Sequence, residues 1–154
     1  MAANSSAGLS PKLGRYFKDY GSYHRTHGNE LCHYIGIPMI LVALLGLLGR
    51  LAFGPAISDE LRLDGGTVLW AIAAFFYLRL DWRIGAPFSL VTAGAYFLGR
   101  ALPVPVNWVL FVVGWVFQLV GHSKYEKNRP AFLKNGEHLL IGPIWIFARL
   151  LKWS

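Results

Sequence analysis

A chain of 154 residues has the length of one ordinary domain, yet 55% of it is hydrophobic, only 15% is charged, and its mean hydropathy is +0.41. That composition excludes an ordinary soluble domain, and six Trp, seven Tyr and ten Phe match the aromatic load of membrane–water interfaces. The net charge of +7 does not point to nucleic acid, because the basic residues are scattered between apolar runs and form no basic face; membrane orientation and anionic headgroups account for it. The expected fold is therefore all-α: a polytopic membrane helical bundle forming a single integral membrane domain over residues 1–154.

The first twenty residues, MAANSSAGLSPKLGRYFKDY, have no apolar core of a signal peptide, so none is expected to be cleaved. An amphipathic helix is expected from Pro11 to His27. Gly28 would end it, and Asn29 would cap a new helix beginning at Glu30. Four apolar runs follow: Leu31 to Phe53, Gly66 to Leu80, Ile84 to Ala101 and Val104 to Gly121. A span needs about 20 residues to cross a hydrocarbon core of about 30 Å, so the first and last qualify and the middle pair reads as a marginal helical hairpin. The breaks between them, GPAISDELRLDGG, RLDWRIGAP and LPVP, carry the glycines, prolines and charges of turns. Gly46, Gly94 and Gly114 either permit close helix contacts or fill space loosely. The last run, Leu139 to Trp153, is short, contains Pro143 and ends in Arg149 and Lys152; it reads as an interfacial or re-entrant helix. The single cysteine, Cys32, excludes an internal disulfide and a thiolate metal cluster.

With four crossings, both ends of the chain and the turn at Arg79–Arg83 share one side. That side holds Lys12, Arg15, Lys18, Arg25, Arg79, Arg83, Lys124, Lys127, Arg129 and Lys134; the other holds Arg50, Arg62 and Arg100. The positive-inside rule places both termini in the cytoplasm. All five histidines fall on this same face. His24, His27 and His33 lie at the start of the first span, His122 at the end of the fourth, and His138 beyond it. Imidazoles at membrane depth are costly unless satisfied, and imidazole is the commonest protein metal ligand. On one unbroken helix, nine positions at about 100° each would set His24 and His33 on opposite sides. The HGNE break allows a turn that brings them together.

His122 and Glu126, four apart, share a helical face, so a 2-His-1-carboxylate or poly-His site for iron is within reach, and zinc fits the ligand type nearly as well. Taken singly, an interfacial histidine is ordinarily a hydrated cap residue. His27 reads as a helix-end residue, and His138 reads equally as a ligand or as a helix start. Glu126 is expected to orient an imidazole or pair with a cation rather than bind metal. Arg25 or Arg129 could hold a substrate carboxylate bidentately, and each also counts as positive-inside charge. Asp81 is expected to pair with Arg79 or Arg83. Serine-nucleophile elbows, phosphate-binding loops, dinucleotide glycine patterns and the H-E-x-x-H zinc motif are missing.

At these residues the sequence resembles the membrane 2-hydroxy fatty acid dioxygenases of fungi and their bacterial relatives. The first family motif is matched by YHRTHGNELCHYIGIP, through Tyr23, His24, Asn29, His33, Gly36 and Pro38. The second is matched by FQLVGHSKYEKNRPA, through Phe117, Gln118, Gly121, His122, Tyr125, Glu126, Arg129, Pro130 and Ala131. The resemblance implies an Fe(II)-dependent enzyme of fatty acid α-oxidation that uses O2 to shorten a 2-hydroxy fatty acid by one carbon. It implies His24, His33 and His122 as iron ligands, with His138 a further candidate outside the shared pattern. A membrane metal- or lipid-binding protein without catalysis is the alternative.

Overall fold

A computed structural model describes residues 8–56, 58, 62–127, 129–133 and 135–153. Lys134, counted above on the basic side, lies outside the described residues. The described chain is mostly helical: α1 (Pro11–Ser22), α2 (His27–Leu48), α3 (Gly65–Leu80), α4 (Trp82–Ala101), α5 (Val104–Val120) and α6 (His138–Leu150). The expectation of helices alone needs one correction. The segment after α2 is not a plain turn but an antiparallel hairpin of β1 (Ala52–Ala56) and β2 (Arg62–Asp64), with an irregular register.

α1 is amphipathic as expected. Its start is fixed by Ser10, whose Oγ accepts from Leu13 N–H and donates to the Leu80 carbonyl at 2.6 Å, while Ser10 N–H donates to Asp81 at 2.7 Å. Its buried stripe, Leu13, Phe17 and Tyr20, packs against α6. The helix ends at Ser22 rather than His27, and α2 begins at His27 with Thr26 before it, not at Glu30. Helical hydrogen bonding starts early, with Glu30 N–H donating to the Thr26 carbonyl, so Gly28 lies inside α2, where a Cβ would collide with the ring of Tyr125.

α2 is the central helix, and α5 is its most extensive partner, followed by α4 and α3. The α2–α5 crossing is made by two glycines. A Cβ on Gly36 would fall 2.7 Å from the Gly114 carbonyl, and one on Gly114 would fall 2.9 Å from the Gly36 carbonyl. Gly46 similarly meets Gly99 of α4, whereas Gly94 has nothing near it and makes no such contact. Asp81 terminates α3, caps α4 and pairs with Arg83 at 3.0 Å, as the sequence led one to expect. At the far end of the bundle Asp64 caps α3 and binds Tyr96 Oη at 2.7 Å and Arg100 at 3.0 Å.

Two helices among the described residues are long and apolar enough to cross a membrane: His27–Leu48 and, counted through the π turn that extends α5, Val104–Glu126. α3 and α6 are apolar but shorter, and α4 has the length without the apolarity. α6 is embedded in protein, with Ile141, Ile144, Trp145 and Ile146 buried against α1, α2 and α4.

Candidate metal centre

Three kinds of local structure deliver three histidines to one point. His24 sits in the short link after α1, where Tyr23 N–H and His24 N–H donate back to the Tyr20 and Gly21 carbonyls. His33 lies two turns into α2. His122 lies in the π turn Gly121–Glu126, which continues α5 and stops at Lys127 in the left-handed conformation. Short π segments of this kind are rare and recur at functional sites.

The rings meet with centroids 4.4 Å (His24–His33), 4.9 Å (His24–His122) and 4.9 Å (His33–His122) apart. One nitrogen from each can be chosen so that all three lie within 4.8 Å of one another. All three residues are buried. His24 Nδ1 is 2.8 Å from the Tyr20 carbonyl, and His33 Nδ1 is 2.9 Å from the Asn29 carbonyl. A carbonyl only accepts, so each Nδ1 carries the hydrogen and each Nε2 presents a lone pair. Those two Nε2 atoms face each other at 3.1 Å. Two lone pairs at that distance repel unless a proton or a cation lies between them. Nitrogens sharing an ion at the usual bond length of about 2.1 Å sit about this far apart. His122 adds a buried Nδ1 with no hydrogen-bond partner among the described residues. The donor set therefore fits a metal ion, with backbone carbonyls fixing two of the ring tautomers. Burial pushes the His24 ring down to about 4, against the raising effect of the Tyr20 carbonyl, so its lone pair is available at neutral pH. The Tyr20 ring stacks on it at 4.1 Å.

Glu126 lies at the end of the π turn and reaches none of the imidazoles. Its carboxylate accepts from Arg25 N–H (3.0 Å), Thr26 N–H (3.1 Å), Thr26 Oγ1 (2.9 Å) and Asn29 Nδ2 (3.2 Å). It thus ties the link bearing His24 to the start of α2. Arg25 gives Glu126 its backbone N–H while its side chain is exposed; Arg129 is also exposed, and neither lines the cavity described next. Asn29 is fully buried, bonding Tyr23 through its amide and His33 through its carbonyl. His27 is exposed at the start of α2. His138, expected as a possible fourth ligand, is buried but does not join the three rings. Its Nε2 lies 2.8 Å from Asp19 without the alignment of a good hydrogen bond, and Tyr20 and Tyr23 meet its ring edge-on. Sequence reasoning passed over Tyr20; its place four residues before His24 on the apolar stripe of α1 was the available signal.

The three rings close one end of a cavity of about 420 Å³, within the range of about 300–1,000 Å³ for small-molecule sites. His138, Tyr20 and Gln118 share that end. Away from it the wall is apolar, running along α2 through Ile37, Leu41, Leu44 and Leu45 to Leu69 and Trp70 of α3, with Phe111 and Trp115 of α5 beside it. No Lys, Arg, Asp or Glu lines it among the described residues.

The sequence profile of the Mpo1-like family, described as 2-hydroxy-palmitic acid dioxygenase Mpo1-like, matches residues 11–153. The chain belongs to this family. It is 31% identical over 134 residues to the 2-hydroxy-palmitic acid dioxygenase MPO1 of Saccharomyces cerevisiae, covering 86% of this chain and 75% of that protein. No solved structure matches the sequence. The family match spans α1 to α6, so it takes in every element that supplies the candidate metal centre and the cavity wall.

Proposed function

We propose that this member of the Mpo1-like family is an Fe(II)-dependent dioxygenase that uses O2 to shorten 2-hydroxy fatty acids by one carbon. The observation that carries the reading is the convergence of His24, His33 and His122 at one end of an otherwise apolar cavity. The activity named for the yeast relative acts on a 2-hydroxy acid, and such a molecule has the matching polarity: a short chelating head and a long apolar tail. His24, His33 and His122 would hold the iron. Bound ferrous iron supplies the redox chemistry with O2 and a positive charge for an anionic ligand. The three imidazoles contribute no negative charge and neither does the cavity wall, so the site favours an acid as its ligand. Tyr20 and Asn29 hold the rings through their carbonyls, and Glu126 holds the link that carries His24.

We place the protein in a lipid bilayer, with α2, α3, α4 and α5 crossing and both termini cytoplasmic. The outward side of α5 supports this, exposing Val109, Val112, Val116 and Leu119 in a continuous apolar strip. At 1.5 Å per residue α3 would reach only about 24 Å, so the bilayer would thin around it. In this setting the tail stays at hydrocarbon depth while the head lies at the cytoplasmic face.

Metal analysis paired with an oxygen electrode tests the proposal. Wild-type protein is expected to hold stoichiometric iron and to consume O2 with 2-hydroxypalmitate but not with palmitate. His33→Ala is expected to lose both properties. A wild type that is free of iron and cannot be reconstituted with it refutes the proposal.

A further inference from the structure

The sequence offers Arg25 and Arg129 to receive a substrate carboxylate, but neither lines the cavity. What lines the cavity next to the imidazoles is a neutral amide. Gln118 stands on α5 one turn before His122, lines the same end of the cavity and is 6% exposed. Its Nε2 has no hydrogen-bond partner among the described residues. A buried amide nitrogen without a partner is costly, and native structures keep few of them without a reason. The neighbouring helix leaves room for this one: a Cβ on Gly36 would fall 2.5 Å from Gln118 Nε2, so glycine at 36 lets the amide lie against α2 one turn beyond His33.

We propose that Gln118 is a substrate-binding residue whose side-chain N–H donates to the carboxylate of the 2-hydroxy acid. The bond fixes which end of the molecule faces the histidines. It also distinguishes an acid from an alcohol of the same tail, because an alcohol lacks the strong acceptor that a charged oxygen provides. This rests on the reading of the cavity as a 2-hydroxy acid site.

Binding of 2-hydroxypalmitate and of 1-hexadecanol to the purified full-length protein in detergent separates the possibilities. Quenching of tryptophan is a suitable readout, since Trp70 and Trp115 line the cavity; iron content is measured on the same samples. Gln118→Leu removes the donor at similar size, and Gln118→Glu replaces it with an acceptor of the same shape. The preference for the acid over the alcohol is expected to fall about tenfold or more in Gln118→Leu, the size of one hydrogen bond to a charged group, and further in Gln118→Glu. Binding of hexadecanol and iron content should stay at wild-type values. A merely structural role would weaken both ligands together. A variant that binds hexadecanol normally and keeps the wild-type preference overturns the proposal; if the leucine variant does not fold, the glutamate variant decides on the same readout. A wild type that binds neither ligand, or shows no preference, defeats the underlying function instead.

Discussion

Removing the carboxylate of Glu126 tests whether the candidate metal centre depends on a residue that touches none of its rings. The carboxylate receives four donors from residues 25, 26 and 29. A hydrogen bond to a charged group contributes about 1.5–3 kcal/mol when water cannot replace it. Arg25 is exposed and Thr26 half-buried, so water compensates much of their loss; Asn29 is fully buried and has no such recourse. Counting the Asn29 bond in full and the rest at a discount, Glu126→Ala should cost about 2–3 kcal/mol of metal-site organisation, or about 30- to 150-fold in iron affinity. Glu126→Gln should be milder. Its remaining oxygen can take the position that accepts from all four donors, while its NH2 faces only the Arg25 N–H, which the two carboxylate oxygens share. Competition for Fe(II) against a chelator of known affinity measures both variants, with the melting temperature in detergent as the control for folding. If Glu126→Ala binds iron as tightly as wild type, the clamp does not position His24 and the argument is wrong.

Gly114→Val forces a Cβ to 2.7 Å from Ile40 Cγ1 and should lower stability by about 1–3 kcal/mol. Gly94→Val, which meets nothing, should leave the melting temperature unchanged. Burial raises the Asp81 carboxyl, but the Arg83 guanidinium and the N–H groups of Ser10 and Arg83 outweigh it and hold the group below its ordinary value of 3.8. A depressed folded value means that its stabilisation is complete above the unfolded value and is lost as pH falls below about 4 through the folded one; melts from pH 7 to 3 should therefore diverge between wild type and Asp81→Asn at neutral pH and converge in acid, and parallel profiles would refute this. His138→Ala should keep its iron, since the ring stands apart from the three that converge; loss of iron in a folded variant would restore it as a ligand. Leu44→Trp fills the apolar end of the cavity and should shift the preferred 2-hydroxy acid to shorter chains, read from initial rates across a chain-length series.

The helices were legible because their residues obey one rule at a time. Val104 to Val120 is apolar except for Asn107 and Gln118; α1 carries Leu13, Phe17 and Tyr20 at helical spacing. The break before α2 was misplaced because Gly28 has two uses. Locally it terminates helices, but here it admits the Tyr125 ring from almost a hundred residues away, and no local rule sees that contact. The hairpin was missed for a similar reason: a segment rich in glycine, proline and acids reads as a turn, and its pairing depends on the ends of α2 and α3 being brought together. At the candidate metal centre, residue type and clustering pointed to the three histidines whose rings converge. Helical spacing placed Glu126 beside His122, but the chain winds there as a π turn, and the carboxylate turns to the link instead. The arginines were chosen for their charge, and charge alone could not say that they stay outside the cavity.

The placement of Glu126 bears on what the site binds. A carboxylate among the metal ligands would cancel part of the ion's charge before any substrate arrived. Here the carboxylate nearest in sequence to His122 is fully engaged in holding backbone N–H groups and Asn29, and the cavity wall offers no other acid among the described residues. In a low-dielectric pocket an uncompensated divalent ion is strongly unfavourable, so an anionic ligand gains more there than it would in a site that already held a carboxylate. Under the proposed function the substrate's own carboxylate would supply the missing negative charge, which would leave neutral Gln118 to set its orientation without competing for it.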